Sequence, residues 1–399
     1  MGVSHANGAR RRTGARESVW GSARGEGPRL NTTAPAPRRT YIDVLRGIAV
    51  LVMMEAHVID SWTREPDRHE HYFRQSMVLG GFAAPLFLFV AGIGVAMSAS
   101  SKARRLGDER AAARMVRNRG LQIFALAFLF RLQSVVLSNG EAWTLLKVDI
   151  LNIMGLAIAG CALLWRTVST ARARILMFSA ATASIVLASP AIRAMGWLSR
   201  LPDPIEGYIR PIPGLTNFSL FPWAAFLTAG VVIGILLDQA RTRDSDRRMN
   251  VWLGIAGALL AFTGWRASFL PPLDPRSAFW TTSTSFFFIR LGLMTTCLTA
   301  AYVWEQRRWL HRWSPVQALG RSSLFVYWIH VEMVYGLVSL PLHHAFSLMG
   351  AWVALGLFSV FILACVIAKN RLANRWRGRP LTRERAFAYM GSPASGVKP

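Results

Sequence analysis

The sequence predicts an all-α polytopic membrane protein with about ten transmembrane helices and both termini in the cytoplasm. The 399 residues are 52% hydrophobic and only 17% charged, whereas soluble domains carry about 25% charged residues. The mean hydropathy of +0.30 is hard to reconcile with a water-soluble surface on a chain of this length. The other two observations are a series of long apolar runs and an unequal distribution of Lys and Arg between the segments that join them.

Ten apolar runs define the predicted helices, because a helix needs about 20 apolar residues to cross a bilayer core. Most runs are followed by a short polar or basic segment. The segment between runs seven and eight holds three prolines, which end a helix. In order, the runs are 41–62, 78–99, 118–138, 147–165, 174–192, 218–238, 250–266, 281–304, 316–340 and 350–369.

Two basic tails flank the predicted transmembrane domain at 41–370. Residues 1–40 are rich in Arg, Gly, Ala, Pro and Thr and lack the apolar stretch of a signal peptide. We interpret them as a disordered cytoplasmic tail. Residues 371–399 have a similar composition and form the second predicted tail.

The net charge of +25 is compatible with nucleic-acid binding or with basic cytoplasmic segments. With the amino terminus placed inside, 33 Lys and Arg residues fall in inner segments and nine in outer segments. This positive-inside distribution predicts cytoplasmic termini and accounts for most of the basic excess, so we expect no nucleic-acid partner. The three cysteines lie in apolar runs without disulfide or metal-ligand spacing, so we expect no metal site.

Seven ionisable residues fall in the outer half of the predicted membrane, where each is a functional candidate because a charge in lipid is costly. Their depths follow from a rise of ~1.5 Å per helical residue. They come from five helices, and we interpret them as one polar cavity that opens outward. The seven are His57, Asp60, Arg131, Asp149, Arg290, His330 and Glu332.

Arg46 lies near the predicted inner mouth, beside arginines that crowd the start of run three. Such a cluster suits a polyanion, and anionic lipid headgroups are the alternative partner. His57 follows Arg46 by eleven residues, about three turns, so both share one helix face. Histidine can take a proton near neutral pH as a general base, although a buried histidine bonded to a neighbouring helix is the structural alternative.

Six short motifs occur in order over roughly residues 38–370. This ordered set resembles the motifs of the transmembrane acyltransferase superfamily. The Arg46–His57 spacing is similar to the acyltransferase type 3 signature, whereas the Asp149 and Pro222-Trp223 segments favour the heparan-alpha-glucosaminide N-acetyltransferase-like branch. The motifs are Arg39–Gly47 followed by His57, Pro85–Gly92, the pair Arg114 and Arg117, Val148–Leu151, Leu220–Trp223 with Gly230 and Gly234, and Leu319–Leu324 with Tyr327 and His330.

The resemblance implies transfer of an acetyl or other short acyl group from cytosolic acyl-CoA, with acetyl-CoA as the expected donor. The acceptor would be a hydroxyl or amine of a sugar or glycan at the outer face. In the lysosomal enzymes of the favoured branch, Asn stands where this chain has His57, and the catalytic histidine follows in the next loop, where this chain has His69 and His71. We nevertheless expect His57 to be the general base.

The depths of the polar residues and the resemblance together give the expected site residues and partners. The catalytic set is His57, His330, Asp149, Arg131 and Arg290, and the CoA-binding set is Arg46, Arg114 and Arg117. We expect an integral protein of a bacterial inner membrane in contact with lipids, with the oligomeric state left open, a homodimer included. The alternative function is a secondary transporter without covalent chemistry, although the chain shows no inverted repeat and no matched pair of broken helices.

Overall fold

The regular elements of the protein are helical, and the computed structural model describes them over residues 39–138, 141–307 and 314–376. The all-α prediction is confirmed for these residues, in which no strand occurs. The tails predicted at 1–40 and 371–399 lie almost wholly outside them. The α-helices are α1 (Thr40–Trp62), α2 (His71–Gly80), α3 (Ala83–Leu106), α4 (Glu109–Ser138), α5 (Ile150–Trp165), α6 (Ala171–Arg193), α7 (Asp203–Ile209), α8 (Leu220–Gln239), α9 (Arg243–Ala267), α10 (Thr284–Glu305), α11 (Pro315–Arg321), α12 (Ser323–Tyr335) and α13 (Leu348–Trp376).

Each of the ten apolar runs contains helix. The hydropathy of the ninth run predicts one continuous helix, but the structure shows two. The run breaks at Ser322, whose φ of −108° and ψ of 18° are not helical. It then ends at Gly336, before a 3-10 turn at Leu337–Leu342. Because both halves are apolar, hydropathy alone does not show the break. The short helices α2 and α7 lie mostly between the predicted runs, where hydropathy predicts no transmembrane helix.

Six helical stretches are long and apolar enough to cross a membrane. α5 is apolar but shorter, and α1 carries four acidic or basic residues, at least three of which fall in any stretch long enough to span. These stretches indicate an integral membrane protein, whereas the count of about ten crossings and the sides of the termini remain predictions. The six are His71–Leu106, Glu109–Val136, Ala171–Ala194, Leu220–Gln239, Thr284–Glu305 and Leu348–Arg375.

The charged helix α1 lies at the centre of the packing. It contacts α2, α3, α10, α11, α12 and α13. Other close pairs are α3 with α8, α4 with α5, and α9 with α10. Because α1 is surrounded by other helices, its polar side chains face protein and not lipid, which is where intramembrane charges are tolerated.

Glycines of the sequence motifs lie where helices cross most closely. At the α3–α8 crossing, a side chain on Gly92 would meet the backbone of Leu227, and one on Gly230 would meet the backbone of Phe89. Gly47 and Gly320 bring α1 and α11 together in the same way, against the backbones of Val316 and Asp43. Small residues allow such close approach between membrane helices, so these glycines determine the positions of the helices that carry the site.

Candidate active site

A cavity of about 1360 Å³ runs beside α1, from Arg46 near the start of the helix to His57 near its end. Their separation of eleven positions corresponds to about 16 Å along the helix axis. Helices α3, α4, α5, α8, α10, α11, α12 and α13 complete the wall, together with the Gly80–Gly81 corner. We call the two ends the basic end, lined by Arg46, Lys102, Arg119, Arg321 and Lys369, and the histidine end, lined by His57, Trp223, Trp280, Arg290 and Tyr335.

His57 and His330 form a hydrogen-bonded pair at the histidine end. Nδ1 of His57 lies 2.9 Å from Nε2 of His330, and the two rings are parallel within 3°. His330 is fully buried behind His57, and its Nδ1 lies 2.8 Å from the carbonyl oxygen of Val326. The structure thus places His57 on the cavity wall with His330 as its hydrogen-bond partner, and the catalytic role of His57 stays a prediction.

The contact with the carbonyl of Val326 determines which ring nitrogens of the two histidines carry protons. A carbonyl oxygen only accepts, so the neutral ring of His330 carries its proton on Nδ1 and presents a lone pair at Nε2. Nδ1–H of His57 then donates to that lone pair. Nε2 of His57 is left without a proton, as a general base requires.

Contacts one helical turn further on hold α1 and α12 in register. The hydroxyl of Ser61 and the indole N–H of Trp62 both donate to the carbonyl oxygen of Val334, each at 3.3 Å. Ser61 follows His57 by four residues, and Val334 follows His330 by four. The two helices therefore run side by side with their histidines at the same level.

Asp149 is the centre of a second polar cluster on the cavity wall. Its Oδ2 accepts hydrogen bonds from Nη2 of Arg131 at 3.0 Å and from the hydroxyl of Tyr327 at 3.1 Å. Its Oδ1 accepts from the backbone N–H of Ile150 at 2.7 Å and so caps the start of α5. Asp149 therefore holds Arg131 and Tyr327, whereas the hydrogen-bond partner of His57 is His330.

Arg290 lines the same end of the cavity in a different setting. Its side chain is buried at 9% exposure, and it makes no hydrogen bond or ion pair with any residue that the structure describes. Its guanidinium carbon lies 4.1 Å from the ring centroid of Phe286 and within 6 Å of those of Phe82 and Trp223. The predicted catalytic arginines are thus unlike one another, since Arg131 has a counter-ion and Arg290 has cation–π contacts instead.

Five of the seven residues predicted for an outer cavity line its wall, including Glu332. His330 lies directly behind the wall. Asp60 is outside it, where its Oδ1 accepts from Nη2 of Arg68 at 3.1 Å. The loop histidines His69 and His71 are exposed and do not line the cavity.

The basic end brings together cations from α1, α3, α4, α11 and α13. The buried carboxylate of Asp43 lies 3.3 Å from both Arg46 and Arg321, and Lys369 donates to the hydroxyl of Ser322 at 2.9 Å. The cations at this end outnumber that carboxylate, so it attracts anions.

Of the predicted CoA-binding residues, only Arg46 lines the cavity. Arg114 is exposed, 3.8 Å from Asp108, and Arg117 is half-buried beside Asn118. A role for these two arginines in donor binding stays a prediction.

Sequence reasoning did not single out Lys102, Arg321 or Lys369 as binding residues, and it placed Arg119 in a general cluster. The Leu319–Leu324 motif contains Arg321 and was the sequence feature that could have pointed to it. Each lysine stands among other cations near the end of an apolar helix, and only the packing turns it toward the cavity.

Among the described residues, no three His, Cys, Asp or Glu side chains are grouped so that they could hold a metal ion. Comparison with known families shows that a model described as an acyltransferase domain matches residues 39–369, most of the chain. No curated protein matches the chain.

Proposed function

The chain belongs to the acyltransferase type 3 family, and from this membership we propose that it transfers an acetyl or other short acyl group from acyl-CoA to a sugar acceptor. The acceptor group is a hydroxyl or amine, and it reacts on the side of the membrane opposite the donor. The observation that carries the proposal is one continuous cavity with five cations at one end and the His57–His330 pair at the other.

The basic end suits the phosphate groups of the donor. Guanidinium groups bind phosphate bidentately, and ammonium groups bind it as point charges. With the phosphates held there, the extended arm of acyl-CoA follows α1 toward His57, and the thioester reaches the histidine end. The mostly apolar side chains between the two ends suit such an arm.

The reaction needs one base and one stabilised oxyanion. Nε2 of His57 takes the proton from the acceptor O–H or N–H as that oxygen or nitrogen forms a bond to the thioester carbonyl carbon. The resulting tetrahedral intermediate carries a negative oxygen. When it collapses, the C–S bond breaks, the thiolate leaves and accepts the proton from His57, and the acyl group remains on the acceptor.

Two neighbours of His57 support this step. His330 holds the tautomer of His57 and stabilises the imidazolium that forms during the reaction, because its lone pair faces Nδ1–H. We assign stabilisation of the oxyanion to Arg131, since Asp149 and the start of α5 hold it in place before substrate arrives.

The proposal includes an orientation. A cytosolic donor places the basic end and both termini on the cytoplasmic side, in agreement with the distribution of Lys and Arg along the sequence. Ten crossings follow if α1, α5, α9 and the α11–α12 pair span the bilayer together with the six apolar stretches. A bacterial inner membrane is the proposed location.

Release of free thiol tests the function. Purified protein in detergent is incubated with acetyl-CoA, with and without a panel of p-nitrophenyl glycosides, and free CoA thiol and acylated sugar are quantified. We expect thiol release that depends on the acceptor and matches the amount of product. A secondary transporter would release no thiol with any glycoside, and this outcome would contradict the proposal.

Donor binding gives a second test. We expect Arg119→Ala and Lys369→Ala each to weaken acetyl-CoA binding about tenfold or more, because a lost charge-assisted contact costs roughly 1.5–3 kcal/mol. Arg110→Ala on the same helix as Arg119 is the matched comparison, because Arg110 is exposed and does not line the cavity. Equal effects at Arg110 and Arg119 would indicate a general electrostatic effect and not a site.

A further inference from the structure

Arg290 is the buried cation at the histidine end that lacks an acidic partner. Its Nε has no hydrogen-bond partner among the described residues, and its side chain lines the cavity at 9% exposure. Other half-buried arginines near this end are compensated: Arg131 binds Asp149, Arg210 binds Glu206, and Arg193 donates to the carbonyl oxygen of Phe221. Arg290 therefore keeps its donors and its charge available to a ligand.

The surroundings of Arg290 favour an anion over a neutral ligand. A guanidinium removed from water without a counter-ion is costly. The aromatic rings of Phe82, Trp223 and Phe286 compensate only part of this cost, since a cation–π contact is weaker than an ion pair. An anionic group that enters the cavity would supply the missing partner.

The position of Arg290 excludes the phosphates of the donor as that partner. The cations assigned to the donor lie at the basic end, about 16 Å along α1 from the level of His57. Arg290 lies on α10 beside Gly81, close to where α2 contacts Ala56 on α1. This is the level of the histidine pair, where the acceptor reacts.

We propose that Arg290 is a specificity-determining residue that binds an anionic substituent of the acceptor sugar, a carboxylate or a phosphate. This inference rests on the proposed function and adds the substrate class, an acidic glycan. Trp223 and Trp280 line the same end and offer flat apolar faces for the sugar ring. The charge of Arg290 then holds the ring so that its hydroxyl meets Nε2 of His57.

Binding of two matched sugars tests the inference without requiring turnover. Heats of binding are measured for p-nitrophenyl glucuronide, which carries a carboxylate, and for p-nitrophenyl glucoside, which does not, with the protein in phosphatidylcholine nanodiscs. We expect the wild type to bind the glucuronide about tenfold or more tightly. Equal binding of the two sugars, or binding of neither, overturns the inference.

Variants identify the residue responsible. Arg290→Gln should lower glucuronide affinity to the glucoside level and leave glucoside affinity unchanged, whereas Arg290→Lys should retain part of the preference. Arg276→Gln is the control, because Arg276 is exposed, pairs with Asp274 and does not line the cavity. A glucuronide preference that persists in Arg290→Gln would place the anion site elsewhere.

Two further arms separate the alternatives. If added phosphatidylglycerol competes with the glucuronide in an Arg290-dependent manner, the residue binds a lipid headgroup and the inference is wrong. If Arg290→Gln lowers the transfer rate equally for both sugars and leaves binding unchanged, Arg290 stabilises the transition state instead. Arg290-dependent glucuronide binding without acyl transfer would uphold the anion site and contradict the proposed reaction.

Discussion

At the scale of single residues, the chemistry depends on which nitrogen of His57 is free. The carbonyl of Val326 sets the tautomer of His330, and His330 in turn sets that of His57. The base is therefore determined by a backbone atom two hydrogen bonds away.

The first prediction concerns His57 as the base. His57→Ala should lower the rate of acyl transfer by about 10²–10⁴-fold, because a general base is lost, and acetyl-CoA binding should persist. Acceptor-dependent thiol release measures the first effect, and donor titration measures the second. Glu55→Gln is the control, because Glu55 is buried on the same helix, does not line the cavity and has no hydrogen-bond partner among the described residues.

His57→Asn distinguishes His57 from the loop histidines, since Asn is the residue that the resemblance places here in the lysosomal enzymes. The exposed positions of His69 and His71 lead us to expect that His69→Ala and His71→Ala stay active. If His57→Asn keeps near-normal activity and either His69→Ala or His71→Ala loses its activity, a loop histidine is catalytic.

The second prediction concerns His330. His330→Leu removes the acceptor for Nδ1–H of His57, so the transfer rate should fall while the Michaelis constant for acetyl-CoA stays similar. His330→Gln offers an amide oxygen in its place and should recover part of the rate. Initial rates over a range of acetyl-CoA concentrations give both the maximal rate and the Michaelis constant. If both variants were equally slow, the role of His330 would be packing and not orientation.

At the scale of elements, the site depends on how closely the helices pack around α1. The third prediction is that Gly92→Val destabilises the protein by about 1–3 kcal/mol, as overpacking usually does. Gly92 lies against the backbone of Leu227 and within 2.9 Å of the backbone nitrogen of Val231, judged from where a Cβ would stand. The midpoint of thermal unfolding in detergent measures the loss.

Gly356→Ala on α13 is the matched control for this substitution, because nothing lies within 4 Å of a Cβ at that position. Its midpoint should stay the same or rise, since Ala favours a helix over Gly. Equal losses in the two variants would mean that the crossing of α3 and α8 is not the cause.

The fourth prediction concerns Asp67, which joins the loop after α1 to the start of α13. Its Oδ1 accepts from Nε of Arg64 at 2.7 Å and its Oδ2 accepts from the backbone N–H of Leu348 at 2.8 Å. The hydrogen bond from Arg64, followed by the one from Leu348, lowers the pKa of Asp67 below its ordinary value of 3.8. A lowered pKa means that the folded protein favours the ionised carboxylate.

The stabilisation that the Asp67 carboxylate gives to the folded protein is therefore fully present above the ordinary pKa. It is lost as pH falls through the lower pKa that Asp67 has in the folded protein. Asp67→Asn should lower the thermal midpoint at neutral pH, and the gap to the wild type should narrow as the pH falls below about 4. Glu65→Gln, at an exposed position in the same loop, is the control. A gap that does not change with pH would show that the charge of Asp67 is not responsible.

At the scale of the whole molecule, one cavity connects the basic end with the histidine end. The fifth prediction is that the carboxyl terminus at residue 399 and the loop at 139–146 lie on opposite sides of the membrane, with the terminus in the cytoplasm. The reason is that basic segments stay inside and that α4 crosses between the basic end and the other face. Reporter fusions at the two positions should give opposite signals. Signals from the same side would show that the assumed number of crossings is wrong.

The sequence by itself determined the all-α class, the approximate helix positions and the alignment of Arg46 with His57. These are local properties, since hydropathy reports burial in lipid and the helical period relates residues within one helix. The same period placed most of the polar residues at a common depth.

Only the tertiary structure decided which side chains meet. The register of His57 with His330, the ion pair of Arg131 with Asp149, and the choice of Arg119, Lys102 and Lys369 over Arg114 for the cavity wall all depend on how each helix is rotated and offset. In a membrane the lipid-facing and protein-facing surfaces of a helix are both apolar, so hydropathy carries little information on rotation. Rotation and offset instead come from close contacts between distant segments, such as those of Gly92 with Leu227 and of Ser61 with Val334.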